Sequence, residues 1–353
     1  MMERLSEKEW KPVSLGEVYN NYHGKRLTKE KRISGTTPLL TAGESNNGVA
    51  EFISNANMPQ YLKFVSVDMF GNSFFHPYRA TGDDNIYFFE NLHLTAETKE
   101  FTCVSIEKQS CKFSYGKQFR QRNADSLKTM LPVTDSGEPD YAYMAEYVQQ
   151  KRAAMLDKYH KYVEARIAEL GELVEIPMLD EKEWDEFFIG DLFEVSRPKS
   201  RNKDDYDFGN TPFVASGALN NGVMKCCDAK QDEQLDAGNC ITVSPVDGST
   251  FYQPMDFLGR GGAGSSILML RSDWLNLYLG QFIARTVRQT CSKYTYGHMG
   301  NKDSIKRERI MLPIDDSGEP DYAYMEQYSK NMMLRKYKQY LEFINRQNIT
   351  EVE

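Results

Sequence analysis

LPVTDSGEPDYAYM (131–144) and LPIDDSGEPDYAYM (312–325) stand about 180 residues apart in one chain, and the ten residues DSGEPDYAYM are identical in both. Asp-Ser-Gly is turn chemistry. Pro139 and Pro320 suit the first position of a helix, where a missing N–H costs nothing. Asp140 and Asp321 then fall in the first turn, where a negative charge favours the helix dipole. A long polar helix is therefore expected after each copy, over roughly 140–170 and 321–347. The first carries Tyr141, Met144, Val148, Met155, Tyr159, Tyr162, Ile167 and Leu170 at mostly three-, four- or seven-residue steps, and the second Tyr322, Met325, Met332, Tyr337, Leu341 and Ile344. At 1.5 Å per residue each would span about 40–45 Å. A helix with one apolar stripe needs a partner. The expected partner is the other copy, packed antiparallel across a pseudo-twofold axis; the alternative is that each helix packs on its own domain.

Working outward, the whole chain is doubled. With Trp10 set on Trp184, EKEW (7–10) meets EKEW (181–184) and Gly16 meets Gly190. TPLLTAGESNNGV (37–49) meets TPFVASGALNNGV (211–223), GNSFFHP (71–77) meets GSTFYQP (248–254), and Tyr115-Gly116 meets Tyr296-Gly297. The offset drifts from 174 to 181, as small loop insertions would cause. Two units of about 175 residues share one pattern, a mixed globular part followed by a helix. FVSV (64–67), IYFF (86–89), CITV (240–243) and ILML (267–270) read as buried strands. NNGV reads as a tight turn, because Asn and Gly tolerate positive φ. Helices are expected from Thr95 to about Glu107 and from Ser272 to about Arg288, capped by that threonine and serine. The expected fold class is α+β: a tandem repeat of two mixed α/β domains, each followed by a long helix, the helices pairing as an antiparallel coiled coil. The expected boundaries are 1–138, 139–172, 173–319 and 320–353.

Bulk composition narrows the function. Of 353 residues, 40% are hydrophobic and 12% aromatic, enough for packed cores. MMERLSEKEW has no apolar signal region, and no 18-residue apolar run occurs, so a membrane-free, cytoplasmic protein is expected. The six cysteines contain no CxxC pair, and no HExxH or other metal signature is found. GRGGAG (259–264) satisfies GxGxxG, but SSILML follows it as a strand, whereas a nucleotide loop needs a helix there. Its counterpart RATGDD (79–84) is not glycine-rich, so a loop or turn is the expected role, with Arg260 set against Arg79. No amino-methyltransferase motif, nuclease motif or nucleophile constellation was found. Together these point to a binding protein with no catalytic residues and no metal.

The net charge of −8 argues mildly against affinity for nucleic acid over the whole surface. Basic loops nevertheless recur at matching places. HGKRLTKEKR (23–32) supplies Lys25, Arg26, Lys29, Lys31 and Arg32; RPKSRNK (197–203) supplies Lys199, Arg201 and Lys203. Near the end of each globular part, YGKQFRQRN (115–123) supplies Lys117, Arg120, Gln121 and Arg122, and YGHMGNKDS (296–304) supplies His298, Asn301 and Lys302. Arg reads guanine bidentately, Asn and Gln read adenine, and Lys mostly holds phosphate. Acids concentrate elsewhere, as in DEKEWDE (180–186), which would leave a basic face.

In order, and twice over, the chain shows a Trp leading to a glycine turn (GDLF at 190–193), the Thr-Pro…NNGV segment, the GNSFFHP or GSTFYQP strand, a Tyr-Gly loop, and LP…DSGEPDYAYM opening a long helix. This order resembles the specificity subunits of restriction–modification systems, type I and particularly the compact type IIB (BcgI-like) kind, over essentially the whole chain. The resemblance implies two target recognition domains, each reading half of a split double-stranded DNA site. It also implies helices that act as spacer and as dock for a methyltransferase subunit, free-standing or fused to a nuclease. Tyr141, Met144, Val148, Met155, Tyr322, Met325, Met332 and Leu341 are the docking candidates. S-adenosylmethionine would sit on that partner, which would flip an adenine for N6 methylation. Different loops in the two units imply an asymmetric site. Two further readings remain: a protein-interaction or anti-defence module on the same fold, and an enzyme using GRGGAG.

Overall fold

Trp10 and Trp184 open equivalent edge strands, and each strand closes on the Leu-Pro that precedes the repeated motif. The computed structural model describes residues 4–262 and 265–350. Ala263 and Gly264, the end of the glycine-rich stretch, lie outside the described residues, as do the outer ends of the expected segments at 1–3 and 351–353. The chain divides into two compact units, Met1–Lys161 and Tyr162–Glu353.

The first unit runs β1 (Trp10–Ser14), α1 (Leu15–Val18), β2 (Asn20–His23), β3 (Ser34–Leu40), β4 (Val49–Ile53), β5 (Tyr61–Asp68), β6 (Ser73–Gly82), β7 (Ile86–Glu90), α2 (Ala96–Glu107), α3 (Gln121–Ser126) and β8 (Lys128–Pro132), and α4 (Tyr141–Leu170) starts in it. Six strands form one sheet in the order β2-β7-β5-β6-β3-β4, and β1 pairs with β8 apart from it. Side chains alternate across the sheet. Val65, Val67, Tyr87 and Phe89 pack with Phe101 and Ile106 of α2, while Phe64, Phe88, Leu40 and Ala80 form a second cluster.

The second unit repeats the order: β9 (Trp184–Phe188), α5 (Ile189–Leu192), β10 (Glu194–Ser196), β11 (Phe208–Val214), β12 (Val223–Cys227), β13 (Cys240–Val243), β14 (Thr250–Gln253), β15 (Leu258–Gly259), β16 (Leu268–Arg271), α6 (Leu277–Cys291), α7 (Lys302–Lys306), β17 (Arg309–Pro313) and α8 (Tyr322–Thr350). Here the sheet is split into β10-β16-β13-β14 and β12-β11-β15. In the first unit β5 begins at Tyr61 and Leu62, which pair with Ala80 and Arg79. Ala237 and Gly238 occupy the aligned positions, and as weak strand formers they leave β13 to begin at Cys240.

The repeated motif is a clasp. Gly137 and Gly318 take the positive φ (83° and 81°) that turns the chain between the edge strand and the helix. Asp140 is the cap of α4, its Oδ1 accepting the Tyr143 N–H at 3.0 Å; Asp321 caps α8 through the Tyr324 N–H at 2.9 Å. The prolines therefore stand one residue before the cap, not inside the first turn as the sequence suggested. The lysine of each EKEW reaches across: Lys8 Nζ lies 2.9 Å from Asp140 Oδ2 and Lys182 Nζ 2.8 Å from Asp321 Oδ2. Burial alone would raise the Asp140 pKa, but Lys8 and the Tyr143 amide outweigh it and hold the carboxyl below its usual range. Each tryptophan is in register with the closing strand, Trp10 opposite Pro132 and Trp184 opposite Pro313.

Three other expectations need correction. Helix α6 is capped by Asn276, whose Oδ1 accepts from the N–H groups of Tyr278 and Leu279; Ser272 instead starts a turn closed by Leu275 N–H to Ser272 C=O, 3.2 Å. Arg260 is the structural equivalent of Asp83, not Arg79. Parallel pairs Leu40↔Gly82 and Val214↔Gly259 fix the register, and the next residue in each unit donates its N–H back, Asp83 to Leu40 and Arg260 to Val214. The helix stripes are also spent differently near their starts. Met144 and Met325 are fully buried in the cores of their own units, and Tyr141, Val148 and Tyr322 pack on those cores. A three- or four-residue period shows that a face is covered, but not by what.

Candidate nucleic-acid interface

In the first unit the loop 23–32 leaves the end of β2 and is stitched to the end of β6 by Lys25 N–H to Gly82 C=O (3.0 Å) and Leu27 N–H to Asp83 Oδ1 (2.9 Å). Leu27 points inward with Leu39, Ile53 and Met58. Lys25, Arg26, Lys29 and Lys31 stay exposed. Arg32 does not: its guanidinium turns back to Glu51 at 2.5 Å and to the Leu27 carbonyl at 3.2 Å. Arg79 is exposed on β6.

The second basic loop converges on the same place. Arg26 meets Asp84 at 3.2 Å, and Arg120, just ahead of α3, meets the neighbouring Asn85 at 3.4 Å. Gln121 donates to Asn21 of β2 at 2.7 Å. Lys117 and Arg122 are exposed beside them. The turn Asp83–Asn85, legible in the sequence only as part of a loop or turn after Arg79, is thus the hub that gathers both loops.

The second unit builds the corresponding surface with other chemistry. Arg201, aligned with Leu27, is buried, its side chain 2% exposed. It holds Glu233 at 2.7 Å, Asp236 at 2.6 Å and the carbonyls of Gly259 and Gln234 at 3.2 and 2.8 Å. Burial would lower its pKa, but the two carboxylates more than offset this and raise it; burial would likewise raise Glu233, but Arg201, with the Tyr206 hydroxyl and the Lys230 amide, holds that carboxyl below its usual range. Tyr206, which donates to Glu233 at 2.9 Å, is pushed up to about 12 by burial first and by that carboxylate second. Every guanidinium nitrogen of Arg201 is engaged within the fold, so it positions the loop and cannot also face an outside ligand. Lys199 and Lys203 are exposed, with Lys199 Nζ 3.4 Å from Gln234. Gly261 serves close packing: a Cβ there would lie 2.1 Å from the Lys199 carbonyl. Residues 259–262 are the seat of the basic loop, with Ser200 bridged to Gly261.

Arg260 is half-buried and bonds Ser265. His298 is exposed on the Tyr-Gly turn, Lys302 is exposed in the first turn of α7, and the Asn301 carboxamide oxygen caps that helix through Asp303 and Ser304 at 2.9 Å each. Helix α7 packs against β10, from which the loop 197–203 departs, as α3 packs against β2.

A second feature recurs. A groove of ≈ 870 Å³ in the first unit is lined by Trp10, Phe101, Met130 and Tyr147, with Lys108 and Lys112 among its lining. Its counterpart of ≈ 890 Å³ in the second is lined by the aligned Trp184, Phe282, Met311 and Tyr328, and includes Arg285 and Lys336. Met332 lines this second groove, Met155 is exposed and Leu341 is half-buried. Near the start of the second unit Tyr162 faces Tyr337, ring centroids 6.3 Å apart. Among the described residues no cluster of His, Cys, Asp and Glu could hold a metal, and no helix is long and apolar enough to cross a membrane.

A family model described as the type I restriction modification DNA specificity domain matches residues 7–172 and again 181–342. A specificity subunit of a type II restriction enzyme from Heyndrickxia coagulans, S.BcgI, is 25% identical over 328 residues, covering 90% of this chain and 93% of that protein. Among solved structures, the type I restriction–modification S subunit from M. genitalium aligns over 98% of this chain and 95% of its own, with 12% identity and a TM-score of 0.47. The HsdS subunit from Thermoanaerobacter tengcongensis aligns over 96% and 91%, with 16% identity and a TM-score of 0.30.

Proposed function

The chain belongs to the type I restriction modification DNA specificity family, with the domain present twice, and from that membership we propose that it selects a split, asymmetric DNA site for a partner adenine-N6 methyltransferase. The observation that carries this reading is the pairing of a shared frame with unlike loops. The clasp, the pairing of the edge strands and the grooves recur at aligned positions, while exposed side chains that leave the frame at equivalent points differ: Arg26, Lys117, Arg120 and Gln121 in one unit, Ser200, His298, Asn301 and Lys302 in the other. A uniform scaffold with unlike polar side chains suits two readings of base edges and two sets of phosphate contacts.

The recognition domains comprise 1–138 and 173–319, and 139–172 and 320–353 are spacer helices. Beyond the first turns these pair as an antiparallel coiled coil; the Tyr162 and Tyr337 hydroxyls, 3.5 Å apart, support this pairing. The chain has no catalytic residues of its own. The methyltransferase, alone or fused to a nuclease, brings S-adenosylmethionine and seats itself on the twin apolar grooves, to which the long helices contribute Tyr147 and Val148 in one unit and Tyr328 and Met332 in the other; their cationic rims suit an acidic, amphipathic segment. The assembly works in the cytoplasm. Arg32 and Arg201 hold loops and are withdrawn from the set of DNA contacts; the other basic and amide side chains of the two loop pairs remain in it.

Co-expression with the methyltransferase of its own locus, in a host lacking adenine methylation, tests the reading. Sequencing of modified bases should reveal one split motif. Replacing 23–32 and 115–123 by loops from a relative should change one half of that motif only. A change in both halves, or in neither, contradicts the modular reading.

A further inference from the structure

Tyr115 and Tyr296 are 82% and 83% exposed, among the most exposed large rings in the molecule. Among the described residues neither ring has an aromatic or hydrogen-bonding partner. Both stand at the tip of a two-residue reversal with glycine second. Ser114 and Lys117 exchange backbone hydrogen bonds of 3.1 and 3.0 Å across the first tip, and Thr295 and His298 bonds of 3.2 and 2.9 Å across the second. The base of each reversal is fixed. Phe119 N–H donates to the Met69 carbonyl at 2.8 Å, and Gly300 N–H to the Pro245 carbonyl at 3.0 Å, at the ends of β5 and β13. Below the first tip Phe119 is buried against Phe113, Tyr87 and Phe89; below the second, buried Tyr294 fills the space, its hydroxyl donating to Glu308 at 2.7 Å.

The fold does not explain the Tyr-Gly pair. Neither glycine has a positive φ, and a Cβ on Gly116 or Gly297 would meet nothing within 4 Å. Any residue would make this turn. A ring left in water gains nothing for stability, while a missing side chain beside it lets an outside surface approach the backbone closely. The residues that follow are unlike in the two units: Lys117, Gln118 and Arg120 against His298, Met299 and Asn301. In a molecule whose loops differ, an identical exposed element performs a task that does not depend on the sequence read.

We propose that Tyr115 and Tyr296 are stacking wedges. Each presses its ring against a base step of duplex DNA beside its half-site, giving the same aromatic contact whatever bases the neighbouring side chains select. The inference rests on the DNA-reading function proposed above. Aromatic side chains stack on any base through its π-face, and apolar side chains pushed between base steps unstack and kink the duplex. A stiffly anchored tip bearing one ring and no competing side chain meets both needs.

The test uses the full chain with its methyltransferase. Tyr115→Ala and Tyr296→Ala, at positions this exposed, should melt as wild type does. Each should slow methylation of the split motif about tenfold, the size of one lost stacking contact, with the motif unchanged in both halves. Tyr115→Phe and Tyr296→Phe, which keep the ring, should stay close to wild type. 2-Aminopurine placed along the motif should brighten at one step per half-site with wild type and not with the matching alanine variant. Wild-type rates in the alanine variants, or equal loss in the phenylalanine variants, would overturn the wedge and leave the DNA-reading function standing. A base change in one half would recast the tyrosine as a reader and overturn it too. If the wild-type chain directs no split methylation, the function proposed above fails and the wedge fails with it.

Discussion

Leu27 and Arg201 occupy one position of the repeat and solve one problem in opposite ways. Each sits in the middle of a basic loop and fastens that loop to the sheet beneath. Leu27 does so among Leu39, Ile53 and Met58, without a charge. Arg201 does so as a buried cation between Glu233 and Asp236. An apolar clip loses only its own contacts when cut. An ionic clip leaves uncompensated charges behind, so its removal costs more than its net contribution to the intact fold. The second unit has a hydrogen-bonded, geometrically specific anchor and carries the greater vulnerability.

The largest effect should come from Arg201→Ala, which strands Glu233 and Asp236; about 3–5 kcal/mol of stability should be lost, seen in urea unfolding with hydrogen exchange localising the loss to β11 and β15. Leu27→Ala should cost less, about 2–3 kcal/mol, by the same measurement in the first unit. If the leucine variant proves the more damaging, the contrast between the clips is reversed. Next is the clasp, where the units are expected to agree. Asp140→Ala and Asp321→Ala each remove a cap and a lysine partner and should each cost about 1–2 kcal/mol. Unequal losses would show that the identical motif is not used identically.

The smallest effect separates the units again. Buried His76 in β6 touches Ser66 at 2.9 Å, where the second unit places Gln253 against Thr242 at 3.0 Å. Burial pushes the His76 pKa down from 6.5 to about 4. The unfolded chain therefore binds the proton more readily than the folded one. Stability is fully present above pH 6.5 and declines as pH falls from 6.5 towards 4. At pH 5.5 the loss should be about 1 kcal/mol, felt in the first unit alone, and His76→Gln should flatten this slope in a pH series of melting curves.

The doubling made the frame legible. Identical residues at matching places gave the two units, both long helices and the turn ahead of each, and Thr95 was read correctly as the cap of α2. The failures share one cause: a one-dimensional pattern does not say which way a side chain points. Arg201 looked like one more cation in a basic loop because its acids lie 32 and 35 residues further along the chain. Met144 looked available to a partner because its stripe has the same period whichever surface it meets. Arg260 was set against Arg79 by residue type, whereas the parallel pairing of β11 with β15 fixes the register by backbone geometry. In the loops, composition identified the segments, and only the fold separated the arginines that reach outward from those that hold the loop down.

The antiparallel pairing of first and last strands, β1 with β8 and β9 with β17, has a consequence for how such a chain can change. Entry and exit of each globular part lie side by side, tied by the same lysine and aspartate. Everything between is a cassette with adjoining ends, the arrangement in which a polypeptide best tolerates replacement of its interior. A genetic exchange with one breakpoint near EKEW and the other near DSGEPDYAYM would deliver a new loop set already fitted to its mounting. New specificities can then arise by trading whole cassettes, without the many single substitutions that would otherwise have to pass through misfolded intermediates.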